Sequence, residues 1–504
     1  MILIKGAKIL DGSGKRPVFI ADVLLKDNKI AAIGKFPAKK SHLTIEALGL
    51  YLAPGFIDVN TDSDHHLTLF TNPLQQDFLL QGTTTIFGGL CGASLAPLIS
   101  GSLDSIRKWT DTKQINIDWQ TVGEFLKVLG RRKLGVNFGT LVGHSTVRRG
   151  IVGEDSRDLT IPELEAFKKI LKESLKGGAL GLSTGLGYAH ARRVPYSEIK
   201  ELATVVAESG GVYATHLRDE REGLLAATEE AIQIARETGV KTLISHFRPI
   251  TGFESEYKKS LELIHSAAGE FNIHFDNYPF SESMTPIYTL LPSWAQIGNL
   301  EIMLTYLKNP ETRARLLKDL AGIDGGAVRI AQAIGQDYLV GRTLREFSEN
   351  QGLPVAEALL KLMQLTGLRA VVFHKNLNED LLFQSLDREQ SMVASNGASL
   401  PADTRTLKHE RFYRTFPKFL ETVLQRKMLA LPQAIAKITS VPARKFGLKN
   451  RGLVEEGKIA DLVMFSQHHG INIEHVFVGG QMAVKDRRTQ NIFAGEILKN
   501  GRAS

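Results

Sequence analysis

Hydrophobic and polar positions in the middle of the chain alternate with two different periods. Short apolar runs at positions 136–142 and 179–183 are typical of buried strands. Between them, positions 160–176 carry the 3.6-residue apolar period of an amphipathic helix. A capping box, Thr160 followed three residues later by Glu163, predicts where that helix begins.

The same alternation of strand and helix extends over most of the chain and predicts an α/β protein. Helices are predicted over 197–209 and 222–238, and further strands over 212–215 and 240–245, with others near Phe56, Thr84, Ile273 and Met392. Strands that alternate with helices of this length pair in parallel, and eight of them favour a (β/α)8 TIM barrel.

The two ends of the chain have a different pattern, in which short β-rich runs are separated by turns. We therefore predict one small sheet domain assembled from residues 1–53 and 451–504, around a barrel at 54–450. The stretch at about 293–383 is too long for one crossover and is rich in helix patterns, so we predict a helical insertion there. A lid over the site is one possible role for it.

Composition restricts the class of function without naming one. The 504 residues are 43% hydrophobic with a net charge of +8, and the basic clusters are short and scattered. The scattered basic clusters predict no nucleic-acid partner, and no apolar run reaches the roughly 18 residues that a membrane span needs. The start of the chain is too short and too soon interrupted for a signal peptide. A single cysteine fits the reducing cytoplasm.

Three metal-capable residues follow predicted strands of the barrel. Cys91 comes after the strand near Thr84, and His216 and His246 end strands one βα unit apart. The carboxyl ends of barrel strands share one face, so these side chains should converge there. One thiolate and two imidazoles suit zinc and leave a fourth position open. Taken singly, a cysteine after a strand is more often a core residue, and a strand-ending histidine is as often structural.

Asn60 and Asp62 follow the strand at 56–59 with a spacing of two residues. Alternation along a strand places such residues on the same side, directed at one point. The neighbouring Asp64, His65 and His66 are read first as a solvated turn.

Ten stretches, in order along the chain, resemble the N-acyl-D-amino-acid deacylases (D-aminoacylases) of the amidohydrolase superfamily. They are "ILDGSG", "LAPGFIDV", "QGTTTIFGGLCGASLAP", "GTLVGHSTVRRGIVG", "GALGLSTGLGY", "YATHLRDE", "LISHFR", "DNYPF", "TFPKFL" and "GKIADLVMF". The resemblance implies an amidohydrolase-type barrel with a small β-sandwich domain. It also implies hydrolysis of a non-peptide C–N amide bond, with N-acyl-D-amino acids as the nearest substrate class.

The resemblance also implies roles for individual residues. In the family a zinc ion is held by the residues that match Cys91, His216 and His246, and the residue that matches His144 is not a ligand. Substrate contacts are implied for Arg248 (in place of lysine), for Tyr278, and for either Ser281 or Ser283.

Three positions depart from the family pattern, all on the side of a second metal and the catalytic base. Asn60 and Asp62 stand where the family has His-x-His, and Asn396 stands where it has the aspartate base. A neutral amide accepts no proton at pH 7, and loss of a positioned base lowers rates by about 10²- to 10⁴-fold.

Three hypotheses follow from these departures. The first is a hydrolase with one zinc per chain, in which another group replaces the base, namely Asp62, Asp64, Asp403, His65 or His66. The second is a pseudoenzyme that retains a zinc- or ligand-binding pocket. The third is deamidation at Asn396-Gly397, which would regenerate an acid. The oligomeric state is not predicted.

Overall fold

The computed structural model describes most of the chain, with short gaps. The described residues are 1–37, 43–99, 103–106, 115–155, 157–188, 190–296, 300–401 and 406–500.

Both ends of the chain contribute to one nine-stranded sheet. Its order is β21-β20-β19-β18-β5-β1-β2-β3, with β4 paired to β1. The two ends meet where β5 pairs antiparallel with β18. The strands are β1 (Ile2–Ile9), β2 (Phe19–Lys26), β3 (Lys29–Gly34), β4 (Leu43–Glu46), β5 (Tyr51–Pro54), β18 (Leu462–Ser466), β19 (Asn472–Val478), β20 (Gln481–Lys485) and β21 (Arg488–Thr489).

Parallel strands fill the middle of the chain and form two sheets. One has the order β6-β7-β8, and the other has the order β17-β13-β12-β11-β10-β9. They are β6 (Phe56–Asp58), β7 (Thr83–Gly88), β8 (Asn137–Thr140), β9 (Val142–Gly143), β10 (Gly181–Gly185), β11 (Val212–His216), β12 (Lys241–Ile244), β13 (Ile273–Asn277) and β17 (Ser391–Val393).

Two features join the parallel sheets to each other. Leu141 alone separates β8 from β9, and a parallel bridge between Thr61 and Gly397 links the residues after β6 to those after β17. The series of parallel strands from β6 to β17 therefore leads back to β6. Because all these strands run the same way, the residues that follow them lie at one end of the structure.

Sixteen α-helices occur among the described residues. The capping box predicted for α5 is present, because the Glu163 carboxylate accepts from Thr160 N at 2.8 Å. The helices are α1 (Thr68–Thr71), α2 (Gln76–Leu79), α3 (Val122–Arg132), α4 (His144–Val152), α5 (Ile161–Lys176), α6 (Tyr196–Glu208), α7 (Leu224–Thr238), α8 (Glu254–Ala267), α9 (Leu300–Lys308), α10 (Pro310–Asp319), α11 (Leu344–Gln351), α12 (Val355–Leu365), α13 (Glu379–Asp387), α14 (Arg411–Arg426), α15 (Leu431–Lys437) and α16 (Ser440–Lys445).

The segment between β13 and β17 contains strands that the sequence patterns did not predict. An antiparallel sheet of order β14-β16-β15 is formed by β14 (Glu282–Pro286), β15 (Val328–Gln332) and β16 (Val371–Lys375). With α9 to α12 it surrounds a separate hydrophobic core that includes Leu316, Ile330 and Leu359. This segment begins at β14, earlier than the predicted 293.

The helices provide no candidate for a membrane span. Within the described ranges, none of them is both long and apolar enough to cross a bilayer.

Candidate active site

Cys91, His216 and His246 lie at the carboxyl ends of three parallel strands, as the sequence predicted. His216 is the last residue of β11, and His246 and Cys91 follow β12 and β7 by two and three residues. Cys91 and His246 have positive φ angles of 51° and 37°. Non-glycine residues rarely adopt this conformation, and such strain is concentrated at functional sites.

The three side chains form one compact donor set. Their potential ligand atoms all lie within 4.8 Å of one another, and all three residues are buried. Cys91 Sγ is 3.4 Å from His246 Nε2. The rings of His216 and His246 are 4.4 Å apart at their centroids and nearly perpendicular, at 87°.

This donor set fits zinc. With about 2.3 Å to sulfur and about 2.0 Å to nitrogen, tetrahedral ligands are separated by roughly 3.5 Å, close to the Cys91–His246 distance. His246 Nδ1 lies 3.1 Å from Glu220 Oε1, so the other ring nitrogen is free to bind a metal. A carboxylate behind a ligating imidazole is a recurrent arrangement in metal sites.

Glu220 is a site residue that the sequence analysis missed. Its second oxygen accepts from Arg248 Nη2 at 2.5 Å, so one carboxylate positions both His246 and Arg248. Burial would raise the pKa of Glu220, but Arg248, His216 and His246 hold it well below its usual value. The signal in the sequence was its position four residues after His216 in "YATHLRDE".

Among the described residues, Asn60 and Asp62 have different partners, whereas the sequence analysis expected them to be directed at one point. Asn60 Nδ2 donates to both oxygens of Asp276, at 3.3 and 3.4 Å. Strand β6 ends at Asp58, so the two residues lie beyond the regular alternation on which the expectation was based. Asn60 does not line the cavity, whereas Asp62 does.

Asp276, at the end of β13, was also missed. Besides Asn60, it accepts from the backbone N–H of His246 at 2.9 Å. Burial raises the pKa of Asp276 to about 6, against the opposing effects of His246 and Asn60. It therefore anchors the loop that presents a candidate metal ligand.

Asp62 is paired with His65. Asp62 Oδ1 lies 3.0 Å from His65 Nδ1, and both residues are buried. Burial would raise the pKa of Asp62, but the hydrogen bond and charge of His65 outweigh it and lower that pKa. Burial would lower the pKa of His65, but Asp64 and Asp62 raise it to about 9. Asp62 is therefore ionised at pH 7.

The other predicted substitutes for the base lie in different surroundings. Asp64 is buried and accepts from Gly89 N at 2.6 Å, outside the cavity lining. Burial lowers the pKa of His66 to about 4, and His66 does not line the cavity either. The interpretation of Asp64 and His65 as a solvated turn is wrong, since both are buried. Asp403 lies outside the described residues.

Asn396 lines the same cavity, at the position of the expected base. It has a positive φ of 45°, and its backbone N–H donates to Asn60 O at 2.9 Å. The following Gly397 N donates to Ser395 Oγ at 3.1 Å, which holds the nitrogen that deamidation of Asn396 would require.

The cavity joins the donor set to a pair of arginines. It is lined by Arg248, as predicted, and by Arg411, which the sequence analysis missed. Arg411 is 3% exposed, and its Nε and Nη1 atoms have no hydrogen-bond partner in the described part of the chain. Its guanidinium carbon lies 5.0 Å from the centre of the Tyr278 ring.

The remaining predicted contacts are divided between the cavity and its surroundings. Ser283 lines the cavity, with its hydroxyl donating to Asn376 Oδ1 at 2.6 Å. Ser281 and Tyr278 do not line it. His144 is fully buried 2.7 Å from Glu198 Oε1, consistent with a structural role.

The chain is similar to known proteins in sequence. The model of the amidohydrolase family matches residues 413–483. A D-aminoacylase from Alcaligenes xylosoxydans xylosoxydans is 28% identical over 513 residues, which covers 99% of this chain and 97% of that protein. The chain is a full-length homologue of the N-acyl-D-amino-acid deacylases in the amidohydrolase superfamily.

Solved structures extend this homology to three dimensions. The structure of N-acyl-D-glutamate deacylase from Bordetella bronchiseptica, complexed with zinc and a phosphonate inhibitor, matches with a TM-score of 0.84 at 27% identity, covering 99% of each chain. A structure of D-aminoacylase matches with a TM-score of 0.82 at 27% identity and the same coverage. That protein has a binuclear metal centre, in which one metal activates and the second attenuates.

Proposed function

We propose that this deacylase homologue is a one-zinc hydrolase that removes the acyl group from N-acyl-D-amino acids. The observation that carries the proposal is the cluster of Cys91, His216 and His246 in a cavity that also contains Arg248 and Arg411. In such a cavity the cluster would hold a metal next to an amide carbonyl, and the arginines would bind a carboxylate. A zinc ion held by this cluster would supply Lewis-acid polarisation of the acyl carbonyl.

The proposal assigns the parallel strands to a (β/α)8 barrel of amidohydrolase type. The return of the strand succession through Thr61 and Gly397 supports this assignment. The terminal strands would form the small β-sandwich domain, with domain bounds at 1–53, 54–450 and 451–504.

Arg248 and Arg411 would bind the α-carboxylate of the substrate. Burial would raise the pKa of Tyr278, but the positive charges of Arg248 and Arg411 outweigh burial and lower it. A buried guanidinium with unpartnered nitrogens is unfavourable unless an anion binds it. Ser283, on the same cavity wall as Asn376, would add a neutral hydrogen bond.

Asp62 would accept the proton from the attacking water at a carboxylate oxygen. It is ionised at pH 7 and lines the cavity, and His65 fixes its orientation. Its lowered pKa makes it a weaker base than a carboxylate tuned near neutrality. Low turnover is therefore part of the proposal. The neutral Asn396 amide would bind the substrate by hydrogen bonds and exchange no proton.

The test is hydrolysis of paired D and L substrates by zinc-loaded protein. Wild type should hydrolyse N-acetyl-D-amino acids in preference to their L enantiomers, and the activity should disappear in a Cys91→Ala variant that has an unchanged circular dichroism spectrum. One bound zinc with no turnover of any linear or cyclic amide would overturn the proposed activity. A pseudoenzyme with a zinc-holding pocket would be the remaining interpretation.

A further inference from the structure

The charged residues that line the cavity are unequal in number. Five arginines face it, against three acidic residues. The arginines are Arg192, Arg218, Arg221, Arg248 and Arg411, and the acids are Asp62, Asp219 and Glu220. An N-acyl amino acid with one carboxylate would leave part of this positive charge uncompensated.

Three of the five arginines are neutralised by ion pairs. Arg192 Nη2 lies 2.8 Å from Asp219 Oδ2, and Arg248 is paired with Glu220. Arg218 makes two bonds to Glu230, at 2.6 and 2.9 Å. These contacts hold the walls of the cavity. Arg192 and Arg218 are left with little charge for a ligand, and Arg248 keeps the contact with the α-carboxylate that the proposed function gives it.

Arg411 and Arg221 have no carboxylate partner among the ion pairs of the described residues. The proposed function assigns Arg411 to the α-carboxylate of the substrate. Arg221 is different, because it lies on the loop after β11, and its only side-chain hydrogen bond among those residues is from Nη2 to Thr289 O at 3.3 Å. Asp219, two residues earlier on the same loop, is occupied by Arg192 and by the backbone N–H of Arg221, each at 2.8 Å.

Other polar groups lie on the same wall of the cavity. Thr289 and Gln296 contribute a hydroxyl and an amide, with Gln296 Nε2 donating to Leu291 O at 2.6 Å. His374 also lines the cavity, and burial and the charge of Arg221 lower the pKa of its imidazole. Arg221 is therefore the charged member of a polar wall, and none of the ion pairs in the described part of the chain includes it.

We propose that Arg221 binds a second carboxylate, so that the preferred substrates are doubly anionic N-acyl-D-amino acids. This rests on the proposed function, since it names the substrate class of the same site. The second carboxylate belongs either to the amino-acid side chain or to a dicarboxylic acyl group. Both present the same planar anion, which a guanidinium binds through two parallel hydrogen bonds.

The test compares matched substrates and matched variants. N-acetyl-D-glutamate against N-acetyl-D-glutamine tests a side-chain carboxylate, and N-succinyl-D-leucine against N-butyryl-D-leucine tests an acyl carboxylate. In wild type, kcat/KM should favour the dianion of one pair by about 10- to 100-fold, as expected for a charged hydrogen bond. Arg221→Gln should abolish this preference, and Arg221→Lys should restore part of it.

Arg193→Gln provides the control, because it removes an exposed positive charge that is adjacent to Arg192 in the chain but does not line the cavity. The preference should be unchanged in this variant. Equal kcat/KM within both pairs, or a preference that survives Arg221→Gln in protein with an unchanged thermal midpoint, would overturn the inference.

Failure of the proposed function is distinguishable from failure of this inference. If no substrate is hydrolysed, calorimetric binding of N-acetyl-D-glutamate and N-acetyl-D-glutamine to the zinc-loaded protein still tests Arg221. Tighter binding of the dianion that is lost in Arg221→Gln would support the second-carboxylate site. Equal binding within this pair, and also between N-succinyl-D-leucine and N-butyryl-D-leucine, would contradict it.

Discussion

Asn396 differs from the expected base by one amide group, and that difference decides how fast the proposed reaction proceeds. The side chain lines the cavity in the strained backbone conformation described above, with φ at 45°. The position is therefore held by the backbone, independently of which of the two side chains is present.

Replacing Asn396 by aspartate should increase the deacylase activity. An added carboxylate at this point restores a positioned general base, and kcat should rise by about 10²- to 10⁴-fold. The measurement is kcat with N-acetyl-D-amino acids, with Asn396→Ala as the control that should show no gain. If Asn396→Asp gives no gain even when Asn60 and Asp62 are both changed to histidine, the substrate pocket itself has diverged.

Replacing Arg411 should have opposite effects on the stability of the protein and on substrate binding. Its buried nitrogens without partners destabilise the ligand-free protein, so Arg411→Met should raise the free energy of unfolding by roughly 1–3 kcal/mol. The same change should raise KM at least tenfold, because the α-carboxylate loses its cation. Chemical denaturation and initial-rate kinetics measure the two effects. A destabilised variant with unchanged KM would contradict both assignments.

At the scale of single residues, the sequence predicted the donor set but not its supports. Cys91, His216 and His246 could be predicted because each follows a recognisable apolar strand. Glu220 and Asp276 could not, because their roles depend on which loops meet across neighbouring strands. A carboxylate in a loop looks the same in sequence whether it faces solvent or a buried imidazole.

At the scale of elements, local patterns predicted the parallel strands and the terminal strands, and failed in the segment after β13. Strand β14 reads Glu-Ser-Met-Thr-Pro and has no apolar alternation, so only its pairing with β16 makes it a strand. The helices of that segment could be predicted because their apolar residues recur on one face, as in α12.

A buried ion pair lies at the junction between the terminal sheet and the parallel strands. Arg451 Nε lies 2.8 Å from Asp461 Oδ2, which also accepts from Asn137 Nδ2 on β8 at 2.8 Å. Arg451→Ala should lower the free energy of unfolding by about 3–5 kcal/mol, because the Asp461 carboxylate would stay buried without its cation. Urea denaturation measures it, and Arg487→Ala at an exposed pair is the control, with little change expected. Equal small effects at both positions would contradict this role.

At the scale of the whole molecule, the same α/β framework as in the deacylase homologues holds a cavity in which only one metal-capable cluster remains among the described residues. Asn60 is bonded to Asp276, and Asp62 is paired with His65, so both positions of the expected second metal have other partners. The departures at these positions therefore form one consistent arrangement, with the Cys-His-His cluster unaffected.

The most direct test of the one-zinc claim is a titration of chelated protein with zinc, followed by metal content and by hydrolysis of N-acetyl-D-amino acids. Metal content and hydrolysis should rise together and reach a plateau at one equivalent of zinc per chain, and Cys91→Ala should retain no zinc at the same concentrations. A plateau at two equivalents, or hydrolysis that is unchanged after the zinc is removed, would contradict it.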